Sequence, residues 1–290
     1  MRTFAEYHPV AVAVCLLCTA AVAMFLADPV ILAIALPGAV AVSLHLQACR
    51  GGRVHLFTLG LLTAMALVNP LVSHRGETVL FVLNHNPVTL EATVYGLLSG
   101  GMVAAVLYTF RSFTKVMTTD RLLCLTGALS PRLALVVSMA LRYVPLFQRQ
   151  YRKTRQAQTA LGLFAGDAPF TRLRGELRVF SSMVTWALEN GVTTADSMAA
   201  RGYGVARRTH FTPFRFTWRD ALLTLLSLGL AAFTLWAGAQ RGFTCYPRLQ
   251  AAPVNPGILA GYAAYALLTL LPLIIDGKEA LRWRILHSRT

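Results

Sequence analysis

Six stretches of the chain run almost free of charge: residues 9–27, 29–48, 54–72, 89–110, 219–240 and 257–275. Each is close to the roughly 20 residues that a helix needs to cross about 30 Å of hydrocarbon. The pattern changes between the fourth and the fifth. After Ser130-Pro131, a good N-cap followed by a proline at the first helical position, apolar residues recur at Leu133, Val137, Ala140, Val144, Phe147 and Tyr151. Steps of three and four predict an amphipathic helix over 130–162, kinked at Pro145 and capped by Gly162. A second such helix is predicted from Arg172 to Arg201. Its stripe is Leu173, Leu177, Phe180, Val184, Ala187, Gly191, Ala195 and Met198, and it closes with Ala199-Ala200-Arg201-Gly202-Tyr203-Gly204. The expected fold is an all-α integral membrane protein with about six transmembrane helices and two long cytoplasmic amphipathic helices. Three regions follow: N-terminal transmembrane helices over 1–110, the cytoplasmic helices over 111–218, and C-terminal transmembrane helices with a basic tail over 219–290.

Charge supplies the orientation. The 290 residues are 56% hydrophobic and 13% charged, with mean hydropathy +0.55 and net charge +15; soluble domains carry about 25% charged residues. Arg50 and Arg53 follow the second span, and Arg111, Lys115 and Arg121 follow the fourth. Thirteen basic residues lie between 142 and 219, and Lys278, Arg282, Arg284 and Arg289 occupy the tail. Only Arg75, Arg241 and Arg248 fall on the other side. The positive-inside rule then predicts cytoplasmic termini and a cytoplasmic 111–218 segment. The loop 73–88 faces outside, with its apolar run Thr78 to Leu83 expected against the membrane surface. The first 27 residues carry Ala21-Val22-Ala23, which mimics a cleavage site. Their apolar core is too long for a signal peptide and Arg2 is offset by Glu6, so a retained first span is expected.

Motifs for catalysis are missing. The one Gly-Lys pair, Gly277-Lys278, lacks the rest of a phosphate loop, and neither H-E-x-x-H nor G-x-S-x-G occurs. Cys15 and Cys18 stand in an apolar run without a His or acidic neighbour, which points to packing; Cys49, Cys124 and Cys245 make the count odd. His74 and His85 share a loop but fall short of a metal site. Asp28 and Asp220 mark span ends, where water is expected to reach them, and no buried acid stands at mid-span as ion-driven transport would need. No catalytic residue, metal or cofactor is assigned.

Two features admit two readings each. The small residues Ala92, Gly96, Gly100 and Ala104 let a neighbouring helix come close, either within the chain or from a separate membrane subunit. Arg201 either complements the dipole at its helix end or docks onto a partner. The basic amphipathic helices could hold anionic lipid, although the Ala, Gly, Ser and Thr around their stripes favour helix packing.

Five segments occur in order: Asn69-Pro70-Leu71-Val72-Ser73-His74-Arg75-Gly76, Asn86-Pro87-Val88-Thr89-Leu90-Glu91, Leu141-Arg142-Tyr143-Val144-Pro145, Ala157-Gln158-Thr159-Ala160-Leu161-Gly162, and Glu189-Asn190-Gly191 leading to Ala200-Arg201-Gly202. Together, over about 69–204, they resemble the transmembrane T component of energy-coupling factor (ECF) transporters, bacterial importers of vitamins and transition metals. The hallmark of that family is a pair of cytoplasmic coupling helices, each ending in Ala-Arg-Gly. Here the second motif is intact, and the first has Leu161 in place of the arginine. The resemblance implies a multi-pass protein of the bacterial plasma membrane, embedded in the lipid bilayer. It implies two ABC-type ATPase subunits docked on Ala160, Leu161 and Gly162 and on Ala200, Arg201 and Gly202. Arg142, Pro145, Arg155, Gln158, Glu189 and Asn190 would support the arms. Movement of the ATPases would pass to a separate substrate-binding S component; this chain would bind no nucleotide and no nucleic acid. The competing expectation is a stand-alone membrane protein whose basic helices bind anionic lipid or another cytoplasmic partner.

Overall fold

The computed structural model describes residues 4–48, 52–73, 78–83, 86–162, 169–205, 214, 216–240 and 255–287. All six apolar stretches are helices: α1 Pro9–Phe25, α2 Pro29–His45, α3 Gly52–Val72 and α4 Leu90–Val116, then, after α5 Thr119–Leu129, α6 Pro131–Ala160 and α7 Pro169–Ala200, α8 Trp218–Ala239 and α9 Pro256–His287. Four of them (α3, α4, α8 and α9) are long and apolar enough to cross a bilayer, while α1 and α2 are apolar but shorter, at 17 residues each. The protein is an all-α membrane protein, as expected. One small departure is a hairpin. Residues Val79–Leu83 (β1) pair antiparallel with Asn86–Thr89 (β2), Val79 opposite Thr89 and Leu83 opposite Asn86. The apolar run of the loop between α3 and α4 is thus a strand, in keeping with its β-branched and aromatic composition.

The chain divides into two compact units: Met1–Leu122 with Phe214–Thr290, and Leu123–Pro213. In the first, α1 packs on α4 and α8, α2 packs on α4 and α9, and α8 packs on α9, which closes a ring of five helices. Val12, Leu16, Leu223 and Leu271 fill one level of this ring, and Val22, Ile31, Ala35, Tyr265 and Leu268 another. Cys15 is buried in the first cluster, Cys18 packs against the second, and both are free thiols. Cys49, Cys245, His74 and His85 lie outside the described residues.

Helix α3 packs on α4 outside the ring, and the small-residue stripe explains how. A Cβ added to Gly96 would come within 2.8 Å of the Met65 carbonyl oxygen, and one on Gly100 within 3.0 Å of the Met65 Cβ. Backbones approach this closely only where side chains are missing. Polar contacts secure both ends of the contact: Asn69 Nδ2 donates to the Ala92 carbonyl at 2.7 Å, and the Tyr108 hydroxyl meets Thr58 Oγ1 and His55 Nδ1, each at 2.8 Å. The stripe therefore serves packing within the chain.

The two aspartates at span ends are buried, contrary to expectation. Asp220, with 0% of its surface exposed, accepts the Thr217 N–H at 2.8 Å, the Thr217 hydroxyl and the His8 N–H at 2.8 Å. Asp28 accepts the Val30 N–H at 3.1 Å and the Tyr262 hydroxyl at 2.9 Å. Orphan N–H groups at a helix start need an acceptor, and a carboxylate satisfies several at once. In place of water, these acids have other segments of the chain.

Candidate functional site

In the second unit, α6 and α7 run antiparallel: Tyr143 contacts Thr194, Phe147 stacks edge-on against Trp186, and Thr154 and Tyr151 reach Met183 and Glu176. Val179 and Met183 are buried here, together with Gly175. The packing row is therefore Gly175, Val179, Met183, Trp186 and Asn190. It lies beside the stripe expected from periodicity: Leu173, Leu177, Phe180 and Val184 are exposed. Both rows repeat at helical spacing. The small Gly175 and the Phe147–Trp186 fit select which of them meets α6.

Both arm ends share one backbone geometry. In α6 the cap residue is Leu161, whose N–H donates to Ala157 O at 3.1 Å; Gly162 follows at φ +78° and donates to Thr159 O at 3.0 Å. In α7 Arg201 takes the same place, donating to Ser197 O at 3.2 Å. Gly202 follows at φ +76° and donates to Ala199 O at 3.0 Å, and Tyr203 donates back to Met198 O at 3.1 Å. This last pair forms a Schellman motif, which satisfies the terminal carbonyls through the main chain and needs glycine at the left-handed position. The end of α7 is thus closed without the Arg201 guanidinium. Leu161 is 77% exposed, and Arg201, with Ala160, Ala200, Gly162 and Gly202, is exposed as well.

The supporting residues fall into two groups. Arg142, Asn190 and Arg201 come together around a pocket of about 340 Å³ between α6 and α7, with Tyr143, Thr193 and Ser197. Toward the Leu161 end, Arg155 pairs with Glu176 at 3.1 Å, and Gln158 is half-buried. Tyr151 donates its hydroxyl to the same Glu176 at 2.9 Å, a hydrogen bond that pushes the phenol's pKa up. Pro145 is exposed inside α6, and Glu189 points to solvent while its carbonyl accepts the Thr193 hydroxyl at 2.9 Å. Periodicity does not single out Tyr143, Thr194 or Glu176. Tyr143 lies within the quoted Leu141–Pro145 segment, and Glu176 is a lone acid among arginines, which was the available signal. Among the described residues no three His, Cys, Asp or Glu side chains could hold a metal ion together.

No protein-family model matches the chain. Curated relatives do. The energy-coupling factor transporter transmembrane protein EcfT of Brevibacillus brevis is 31% identical over 106 residues, 36% of this chain and 40% of that protein. The proteins of the same name from Bacillus selenitireducens and Listeria innocua are 29% identical over 181 residues and 28% identical over 178. These longer matches cover 55% and 56% of this chain, and 65% and 66% of the relatives. The chain spans about two fifths of the length of the first of these relatives, and under two thirds or close to it for the others. Its resemblance to the T component of ECF transporters therefore rests on sequence similarity over part of the chain as well as on the helix-end motif.

Proposed function

We propose that this chain is the membrane-embedded coupling subunit of an ECF-type importer, passing ATP-driven movement of two ATPase subunits to a separate substrate-binding S component for uptake of a vitamin or metal micronutrient. Support comes from the matched pair of helix ends. Two long antiparallel helices stop at the same backbone geometry and expose their cap residues, Leu161 and Arg201, in a chain similar to proteins named EcfT. A helix end closed by its own main chain leaves its side chain available to a partner. The Arg201 guanidinium offers two parallel N–H groups to a carboxylate, a planar pairing that strengthens when a docked surface excludes water. Leu161 offers apolar area, so the two ends dock by different physics. The exposed row Leu173, Leu177, Phe180 and Val184 gives α7 an apolar side on which a membrane-embedded partner can ride. The basic loops support, by the positive-inside rule, a cytoplasmic position for both termini and both arms, on the side where ATPases are found. Hydrolysis then belongs to the partners and substrate recognition to the S component.

The same apolar row, flanked by Arg172, Arg174 and Arg178, would also suit an anionic bilayer surface. Affinity purification from the native membrane in mild detergent separates the two readings. Recovery with two nucleotide-binding proteins and a small membrane protein in fixed stoichiometry, with ATP hydrolysis in that fraction, is the expected result. Recovery with anionic lipid and no nucleotide-binding protein would favour the lipid reading.

A further inference from the structure

We infer that the pocket between α6 and α7 is a carboxylate cradle, in which Arg142 and Arg201 close together on one acidic side chain of the partner ATPase. The inference rests on the docking role proposed for Arg201 and adds a second contact to it. The geometry starts with helical spacing: Asn190, Thr194, Ser197 and Arg201 follow one another on one face of α7, as Met139, Arg142 and Leu146 do on α6. The Tyr143 hydroxyl, 2.9 Å from Thr194 Oγ1 and 3.5 Å from the Asn190 carbonyl, ties the two faces beside the pocket. Thr194 in turn donates to that same carbonyl at 2.7 Å. Two exposed cations far apart in sequence thereby line a common cavity of about 340 Å³.

The electrostatics of the two arm ends differ. Near Leu161, Arg155 is already held by Glu176 at 3.1 Å. Among the described residues neither Arg142 nor Arg201 forms an ion pair, and no acidic residue lines their pocket. Like charges sharing a cavity repel, and an entering anion removes that repulsion while accepting charge-assisted hydrogen bonds from both. The excess is general to this unit: residues 123–213 carry twelve basic and four acidic side chains. Three apolar walls, Met139, Leu146 and Met198, also face the cavity. They suit the methylenes of a glutamate better than a phosphate, which has no carbon chain to bury. A protein carboxylate is thus the occupant that the lining fits.

A double-mutant cycle tests this. The ATPase pair that co-elutes with the wild-type chain, identified and purified separately, is titrated onto nanodisc-embedded wild type, Arg142→Met, Arg201→Met and the double variant. Methionine keeps most of the apolar stem while removing the charge. Each single change should weaken binding by about thirty-fold or more, and the double should bind about as weakly as the worse single, because both act on one anion. Arg142→Lys should restore part of the loss. Wild-type binding by Arg142→Met overturns the inference, and so does a double variant whose loss is the product of the two singles; in both cases a weak Arg201→Met leaves the docking reading standing. Normal binding by Arg201→Met removes both. Earlier melting of Arg142→Met, fully cured by lysine together with binding, would assign Arg142 to folding and also overturn the inference.

Discussion

Leu161 and Arg201 occupy the same place relative to a left-handed glycine, yet one offers a branched hydrocarbon and the other a fixed cation. Because each side chain is exposed and a left-handed glycine with a main-chain hydrogen bond follows each, changes at either should appear in assembly rather than in stability. Leu161→Asp places a charge where an apolar contact is proposed, and a charge taken out of water without a partner costs several kcal/mol. Loss of ATPase co-purification is expected at unchanged membrane levels. Leu161→Met keeps volume and polarity and should cost less than about 1.5 kcal/mol. Normal assembly by the aspartate variant would show that this end stays in water. Arg155, also at this end, is already neutralised by Glu176 in an exposed pair, a contact worth only about 0.2–1 kcal/mol.

Among the elements, α3 and α4 give the sharpest test of packing. Gly96 faces main-chain atoms of α3, which cannot swing aside as a side chain could. Gly96→Val should therefore separate the pair and destabilise the protein by at least about 1–3 kcal/mol, read as a lower melting temperature in detergent; Gly60→Ala, whose added Cβ meets nothing within 4 Å, should change little. Helices were the most legible part of the sequence, since lipid admits few backbones other than helices and every apolar stretch was at or near spanning length. Their ends were less so. Helices α4 and α9 continue to Val116 and His287, past the apolar windows, because Arg111, Lys115 and Lys278 end a hydrophobic run without breaking a helix. Short elements were missed altogether: α5 and the Val79–Thr89 hairpin depend on pairing and connection, which periodicity does not encode. On α7 two adjacent rows share the helical period, and the small Gly175 with the Phe147–Trp186 fit decides which of them meets α6, which periodicity alone does not encode.

For the whole molecule, sequence and structure speak to different parts of the account. The Ala-Arg-Gly ending could be read directly, and so could the position of Leu161 in its counterpart. The meeting of Arg142 with Arg201 could not, because it depends on how α6 crosses α7. Cargo leaves no trace in this chain, since the proposed function assigns substrate recognition to another subunit. Orientation rests on the arginine and lysine asymmetry. In a cysteine-free background, single cysteines at Ser73 and Arg248 should label from outside, and those at Ala165 and Ser288 only after the membrane is opened. External labelling at Ala165 would place the arms on the wrong side for cytoplasmic ATPases. The most direct test of the central claim is ATP-driven substrate uptake by proteoliposomes holding the complete complex, with wild type, Arg201→Lys and Arg201→Ala at matched incorporation. If Arg201 enters an acidic groove of an ATPase, alanine leaves that carboxylate unpaired at a cost of about 2–5 kcal/mol. Uptake should then collapse, with lysine rescuing only partly because an ammonium lacks the guanidinium's fork. Full uptake by the alanine variant would contradict the account.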